Sequence, residues 1–130
     1  MLLDTHGLLC LLSRRERHHA QSHSLFKGAA VRLTRNYVLA EFVALAQTRG
    51  VSRIDNLRFV QNLVANPDIE TVWIDESLHH AALNLLHSRL DKTFSLCDAI
   101  SFVLMRQRGI TEALTNDHHF QQEEFVRLLV

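Results

Sequence analysis

Five short apolar runs alternate along the chain with longer stretches in which apolar residues recur at helical spacing. The predicted strands are residues 1–3, 29–34, 69–74, 110–115 and 125–130. The predicted helices cover residues 8–12, a stretch that begins at Tyr37, residues 52–66, a stretch from Asp75 or Ser77 to Leu90, and the stretch around Asp98. Strands that alternate with helices form a parallel sheet covered on both faces. We therefore predict an α/β fold, a three-layer α/β/α sandwich around a central, mainly parallel sheet of four to five strands.

Size and charge limit the classes of protein to which the chain can belong. Its 130 residues are 47% hydrophobic and include one proline, which predicts a compact, helix-rich domain covering residues 1–130. The formal net charge is zero. A strongly basic protein that binds nucleic acid mainly by neutralising phosphates is therefore excluded. Any contact with RNA or DNA has to be local.

Cysteine usage and the opening segment bear on the compartment. Cys10 and Cys97 both lie in apolar runs without a C-x-x-C motif, which is typical of buried thiols in a reducing compartment. Asp4 interrupts the apolar opening, which also lacks the basic leader and cleavage site of a signal peptide. No apolar run is long enough to cross a bilayer. These features predict a cytoplasmic protein without a membrane partner.

Asp98 is an isolated acid in the apolar stretch between Phe94 and Met105. Ser95 and Asp98 have the S-x-x-D spacing of a helix start, where a carboxylate meets unpaired N–H groups. Gly109 then ends the predicted helix, after two arginines. Helix capping alone accounts for Asp98 on this evidence, so its interpretation depends on whether other acids are similarly placed.

Glu41 is a second isolated acid, inside the predicted helix that Asn36 would cap. Its neighbours at i±3 and i±4 are apolar or aromatic: Tyr37, Val38, Ala44 and Leu45. An exposed glutamate usually has polar neighbours on its helical face, so we predict that Glu41 points into a partly buried place. An ionised carboxylate in such a place needs a cation or several hydrogen-bond donors.

Two further acids follow predicted strands. Asp4 comes directly after the first strand, at the start of a turn predicted over residues 4–7, and Asp117 follows the fourth strand. Ligands of open α/β sheets bind beyond the carboxyl ends of the strands, where the strand order reverses. We therefore expect Asp4 and Asp117 to meet at that crevice.

Convergence of Asp4, Glu41, Asp98 and Asp117 would predict a divalent cation. Several carboxylates in a low-dielectric place repel one another and either hold protons or bind a cation. Oxygen ligands without histidine or cysteine favour Mg²⁺ or Mn²⁺ over Zn²⁺. Such a cation lowers the pKa of a water and polarises a phosphoryl oxygen, so the predicted reaction is phosphodiester hydrolysis.

Four segments carry a resemblance to a known family. LLDTHGLL, YVLAEFVALA, TFSLCDAISFVLMRQRGI and EALTNDHHF occur in order over nearly the whole chain. Together they resemble the PIN-domain ribonucleases, in particular the VapC-type toxins of bacterial toxin–antitoxin pairs. The resemblance implies metal-dependent endoribonuclease activity on structured RNA, with Mg²⁺ or Mn²⁺ as cofactor. It also implies a cognate antitoxin protein as partner and a homodimer.

The resemblance also assigns residues. Asp4, Glu41, Asp98 and Asp117 match the family's metal-binding acids and would carry catalysis. The residues expected to support them are Thr5, Ser95, Thr115 and Asn116. His6 and His118 are weaker candidates for contact with the substrate phosphate.

Other functions and other histidines stay open at this stage. A catalytically silent PIN-like binding module and a housekeeping RNA-processing nuclease are alternatives. A phosphotransfer domain is disfavoured, because the first strand of this chain lacks a D-x-D motif and no strand ends in a lysine placed for phosphate. The polar stretch 13–24, with His18, His19 and His23, predicts a solvated helical face and not a Zn²⁺ site. Trp73, in the third predicted strand, is expected in the core.

Overall fold

The computed structural model describes all residues from Met1 to Val130. Its five parallel strands form one sheet in the order β3-β2-β1-β4-β5. The strands are β1 (Leu2–Leu3), β2 (Leu33–Arg35), β3 (Glu70–Val72), β4 (Glu112–Leu114) and β5 (Val126–Arg127). The helices are α1 (Thr5–Leu12), α2 (His19–Gly28), α3 (Asn36–Thr48), α4 (Arg53–Ala65), α5 (Glu76–His87), α6 (Leu96–Arg108) and α7 (His119–Gln122). The predicted α/β class and the parallel sheet are confirmed.

Two apolar cores lie on opposite faces of the sheet, because successive strand side chains point to opposite sides. Leu3 packs in one core with α1, α3 and α4, whereas the neighbouring Leu2 packs in the other core with α6. Leu114 and Ala113 divide in the same way on β4. This division produces the predicted three layers.

Helix ends follow local sequence signals in several places. The side chains of Ser52 and Asp75 accept hydrogen bonds from the first turns of α4 and α5. Ser95 and Asp98 form a reciprocal capping box at the start of α6, and Gly109 ends that helix at φ 66°. No helix has the length and apolar character needed to span a bilayer.

Several local predictions are wrong. Residues 4–7 were predicted as a turn, but α1 begins at Thr5, directly after Asp4, and includes residues 5–7. Asn36 does not cap α3, since its Oδ1 accepts a hydrogen bond from the backbone N–H of Ile74. Trp73 is 65% exposed and lies outside the core. The strands are also shorter than their apolar runs, and α7 was not predicted.

Candidate metal-binding active site

The candidate site lies at the carboxyl ends of β1 and β4, the two adjacent strands where the strand order reverses. Asp4 follows β1 and is 7% exposed. The hydroxyl of Thr115, which follows β4, donates to Asp4 Oδ2 at 2.8 Å. The same hydroxyl accepts the backbone N–H of Asp117 at 3.1 Å. One buried threonine thus connects the two strand-end acids.

Asp98 reaches the same place from the first turn of α6. Its carboxylate accepts the backbone N–H of Ser95 at 2.9 Å, while its own N–H donates to the Ser95 hydroxyl at 3.0 Å. This capping box leaves the acid only partly buried and fixes the backbone that carries it.

His119 lies between two of the acids. Its Nδ1 is 2.9 Å from Asp117 Oδ1 and 3.6 Å from Asp98 Oδ2, without a hydrogen bond of standard geometry. Its Nε2 lies 2.8 Å from the hydroxyl of Thr93, and its ring packs edge-on against Phe94. The imidazole therefore spaces the carboxylates of Asp98 and Asp117 apart.

Glu41 approaches from α3. Its carboxylate accepts a hydrogen bond from the hydroxyl of Thr5, which is 4% exposed at the start of α1. Glu41 itself is exposed, so the predicted partly buried environment is wrong. The buried apolar residues of α3 pack into the core on the other side of the helix. Glu41 lines an open cavity of about 400 Å³ together with Asn36, Tyr37, Ala40 and Cys97.

Arg35, at the end of β2, was missed by the sequence analysis. Its side chain is fully buried and donates to the backbone carbonyl of Cys97 and to the hydroxyl of Ser101, both on α6. Its Nε makes no hydrogen bond. The only sequence signal was a cation at the end of an alternating strand, which usually indicates an exposed position.

The pKa values show uncompensated negative charge. Burial raises the pKa of Asp4 to about 6, the charge of Asp98 adds to this, and Arg35 and Thr115 act against it. Burial also raises the pKa of Asp98, and the charge of Asp117 acts in the same direction. The acids are therefore close enough to oppose one another's ionisation.

Comparison with known proteins identifies the family. The model of the PIN domain matches residues 1–125. The chain belongs to the PIN domain family. Comparison with curated protein sequences gives no match.

A solved structure shares the fold of this PIN domain. It is the crystal structure of Mycobacterium tuberculosis VapC20, described as a sarcin–ricin loop cleaving toxin. The TM-score is 0.87 at 23% sequence identity, over 96% of this chain and 95% of that one. The resemblance found in the sequence is thus confirmed for the PIN family and its VapC-like fold.

The side chains of this PIN domain fit a hard divalent cation. Asp4, Glu41, Asp98 and Asp117 offer carboxylate oxygens, the donors that Mg²⁺ and Mn²⁺ prefer. Asp4 gives the clearest support for a cation. Burial raises its pKa, and the charge of Arg35 and the nearby hydrogen-bond donors offset that rise only in part. A cation bound beside Asp4 would lower the free energy needed to ionise its buried carboxyl group.

The remaining predicted residues divide into two groups. Thr5 and Thr115 contact Glu41 and Asp4 directly, and Ser95 holds Asp98. The exposed side chain of Asn116 makes no hydrogen bond, although its carbonyl accepts one from Arg127.

The two predicted substrate histidines differ in position. The ring of His118 is 65% exposed beside Asp117, at 3.9 Å from its carboxylate. The ring of His6 instead lies against Cys10, with its Nε2 3.4 Å from the sulfur.

Proposed function

We propose that this PIN domain is a metal-dependent endoribonuclease that hydrolyses phosphodiester bonds in structured RNA, with Mg²⁺ or Mn²⁺ as cofactor. The observation that carries the proposal is the connected set of acids at the β1–β4 edge. The hydroxyl of Thr115 binds both the carboxylate of Asp4 and the backbone N–H of Asp117, and the ring of His119 lies between the carboxylates of Asp117 and Asp98. Residues 1–130 would act as one catalytic domain.

Asp4, Asp98, Asp117 and Glu41 would hold the cation. When bound, the cation supplies Lewis acidity, which lowers the pKa of water and neutralises charge developing on the phosphate. Thr115 fixes the carboxylate of Asp4, and Thr5 fixes that of Glu41. These hydroxyl contacts set the direction of each ligand oxygen before RNA arrives.

Two exposed groups would meet the substrate. Glu41 is exposed beside an open cavity, where its carboxylate can accept a proton from water positioned near the scissile phosphate. His118 is exposed next to Asp117 and can donate a hydrogen bond to a phosphate oxygen. His6 is the weaker substrate candidate, because its ring faces Cys10.

The substrate is proposed to be a structured RNA such as a transfer RNA or a ribosomal RNA loop. The fold matches that of a toxin described as cleaving the sarcin–ricin loop. The zero formal charge of the chain also favours recognition of a local shape over general binding of nucleic acid. Cleavage should therefore occur at a few positions and not throughout the RNA.

The toxin assignment implies further partners. We propose a cognate antitoxin protein that masks the site, a homodimer, and a cytoplasmic location. Exposed apolar side chains on α4, Ile54 and Leu57 among them, offer surface for protein contact.

The decisive experiment is an RNA cleavage assay with purified protein and either Mg²⁺ or Mn²⁺. The Asp98→Asn variant keeps the shape of the capping residue but removes a ligand charge, so cleavage should fall by at least a hundredfold. Asp68→Asn is the matched control, since Asp68 is exposed and its side chain makes no hydrogen bond. It should cleave like the wild type.

Mapping of the RNA ends completes the test. Sites produced by the wild type and by Asp68→Asn, and absent with Asp98→Asn or with chelator, would support the proposal. Equal cleavage by Asp98→Asn would refute the assignment of the site. Absence of cleavage together with absence of metal binding would favour the catalytically silent module.

A further inference from the structure

A second cluster of ligand-type side chains lies on α1 and the segment that follows it. His6 and Cys10 are one helical turn apart, and Glu16 comes from the turns between α1 and α2. The ligand atoms of these three residues all lie within 4.8 Å of one another. We call this set the α1 cluster. It shares no side chain with the four-acid site.

The donors of the α1 cluster differ in kind from those of the carboxylate site. An imidazole nitrogen, a sulfur and a carboxylate oxygen together favour Zn²⁺ over Mg²⁺. Neighbouring ligands on one tetrahedral Zn²⁺ are about 3.5 Å apart. The 3.4 Å between His6 Nε2 and Cys10 Sγ matches that spacing. We propose that the α1 cluster binds a thiophilic divalent cation of the Zn²⁺ class.

The surroundings of Cys10 support the proposal. Cys10 and Ser22 are both fully buried, and the Ser22 hydroxyl makes no hydrogen bond of standard geometry. Burial raises the pKa of the Cys10 thiol, whereas the Ser22 hydroxyl and the backbone of His18 act in the opposite direction. The negative charge of Glu16 raises the pKa of the thiol further, and a cation held by both groups would relieve that opposition.

Arg49 completes the cluster on its outer side. Its guanidinium donates to Glu16 Oε1 at 2.9 Å. The second carboxylate oxygen, Oε2, stays available as a metal ligand, and Arg49 then holds the carboxylate in place as an outer-shell partner. A water or a further side chain would fill the fourth position on the cation.

Binding of the cation at the α1 cluster releases one proton. The sulfur–hydrogen bond of Cys10 breaks, its proton goes to solvent, and the sulfur lone pair binds the cation. No oxidant or reductant takes part. The bound cation would tie the first turn of α1 to the segment around Glu16, and that first turn also carries Thr5.

The test is titration of the protein with Co²⁺, a spectroscopic substitute for Zn²⁺, while excess Mg²⁺ occupies the carboxylate site. Thiolate-to-cobalt charge-transfer absorption in the near ultraviolet requires a cysteine ligand. The only other cysteine, Cys97, lines the cavity beside Glu41, so a Cys97→Ser variant separates the two sites. The wild type and Cys97→Ser should both show this band. The Cys97→Ser variant retains Cys10 as its only cysteine, so a band in this variant identifies Cys10 as the ligand. That assignment holds even if Cys10→Ser fails to fold.

Two further variants make the outcome decisive. Glu16→Gln should weaken Co²⁺ binding by on the order of tenfold or more, since even outer-shell changes have effects of that size. Asp98→Asn should keep the band, so that failure of the ribonuclease proposal and failure of this one remain distinguishable. The proposal is overturned if saturating Co²⁺ gives no charge-transfer band, if Cys97→Ser abolishes it, or if Cys10→Ser folds and retains it.

Discussion

Asp4 carries an electrostatic cost that depends on pH. Burial raises its pKa from 3.8 to about 6, so the folded state holds the proton more tightly than the unfolded state. The contribution of Asp4 to stability in the absence of metal should therefore be most favourable below its unfolded pKa near 4, fall as pH rises from 4 towards 6, and stay reduced above that range. The cost at pH 7 is about 3 kcal/mol as an order of magnitude.

Asp4→Asn should remove that cost. In chelator at pH 7, the variant should be more stable than the wild type, by up to about 3 kcal/mol, and the difference should vanish near pH 4. Urea unfolding at several pH values measures this, with Asp68→Asn as the pH-independent control. A wild type whose stability relative to Asp4→Asn is the same at pH 4 and pH 7 would contradict the pKa assignment.

Arg35 illustrates what residue patterns could not predict. The isolated acids stood out in the sequence because their neighbours were apolar, whereas an arginine beside a polar asparagine looked like an ordinary surface residue. Its burial depends on α6 crossing the end of β2 and supplying the carbonyl of Cys97 and the hydroxyl of Ser101. That crossing is a tertiary event without a local signal.

Arg35→Met should destabilise the protein by about 3 kcal/mol or more, since it removes a buried cation and leaves its partners without donors. It should also raise the pKa of Asp4 further, because Arg35 is the main charge that lowers it. Arg58→Met, at an exposed position on α4, is the control and should change stability by no more than about 0.5 kcal/mol. Equal effects of the two substitutions would show that Arg35 does not support the site.

At the scale of the elements, α1 packs closely against the sheet. A Cβ atom at Gly7 would lie 2.1 Å from the backbone carbonyl oxygen of Leu114, on β4. The same close approach sets Asp4, at the start of α1, within reach of Thr115. The sequence analysis predicted a turn at residues 4–7, whereas Gly7 lies in α1 and allows that helix to contact β4.

Gly7→Ala tests that contact. Alanine in an open helix stabilises by about 1 kcal/mol relative to glycine, but overpacking against the Leu114 backbone should cost about 1–3 kcal/mol or more. Gly28→Ala is the matched control, because nothing lies within 4 Å of its added Cβ. Thermal unfolding should show a lower Tm only for Gly7→Ala. Equal changes in Tm for the two variants would mean that α1 can move away from β4 without loss of stability.

The start of α6 was the most predictable element. The S-x-x-D spacing, the basic last turn and Gly109 predicted both of its ends, and the capping box confirms that local interpretation. The sequence could not show that Asp117 and His119, which follow β4 and lie 19 and 21 positions later in the chain, would reach Asp98. Local signals specified the helix, and the fold brought its acid to the site.

At the scale of the whole molecule, the site should link metal binding to folding. A cation that binds only the folded state stabilises it by about 2.7 kcal/mol at a free concentration one hundred times the Kd. Mn²⁺ should therefore raise the Tm of the wild type at pH 7, and raise it much less for Asp98→Asn. Calorimetry of both proteins with Mn²⁺ and with chelator would measure the shift in Tm. An equal rise in both proteins would place the cation elsewhere.

The strand order has a consequence for synthesis of the protein. The hydrogen-bond partner of Asp4, Thr115, follows β4 and is synthesised 111 positions after it. β1 cannot gain its β4 neighbour until that strand has emerged, although β2 is available much earlier. A growing chain that still lacks β4 therefore has no assembled set of acids, so a nuclease built on this sheet stays inert on the ribosome until β4 and the acid that follows it have been translated.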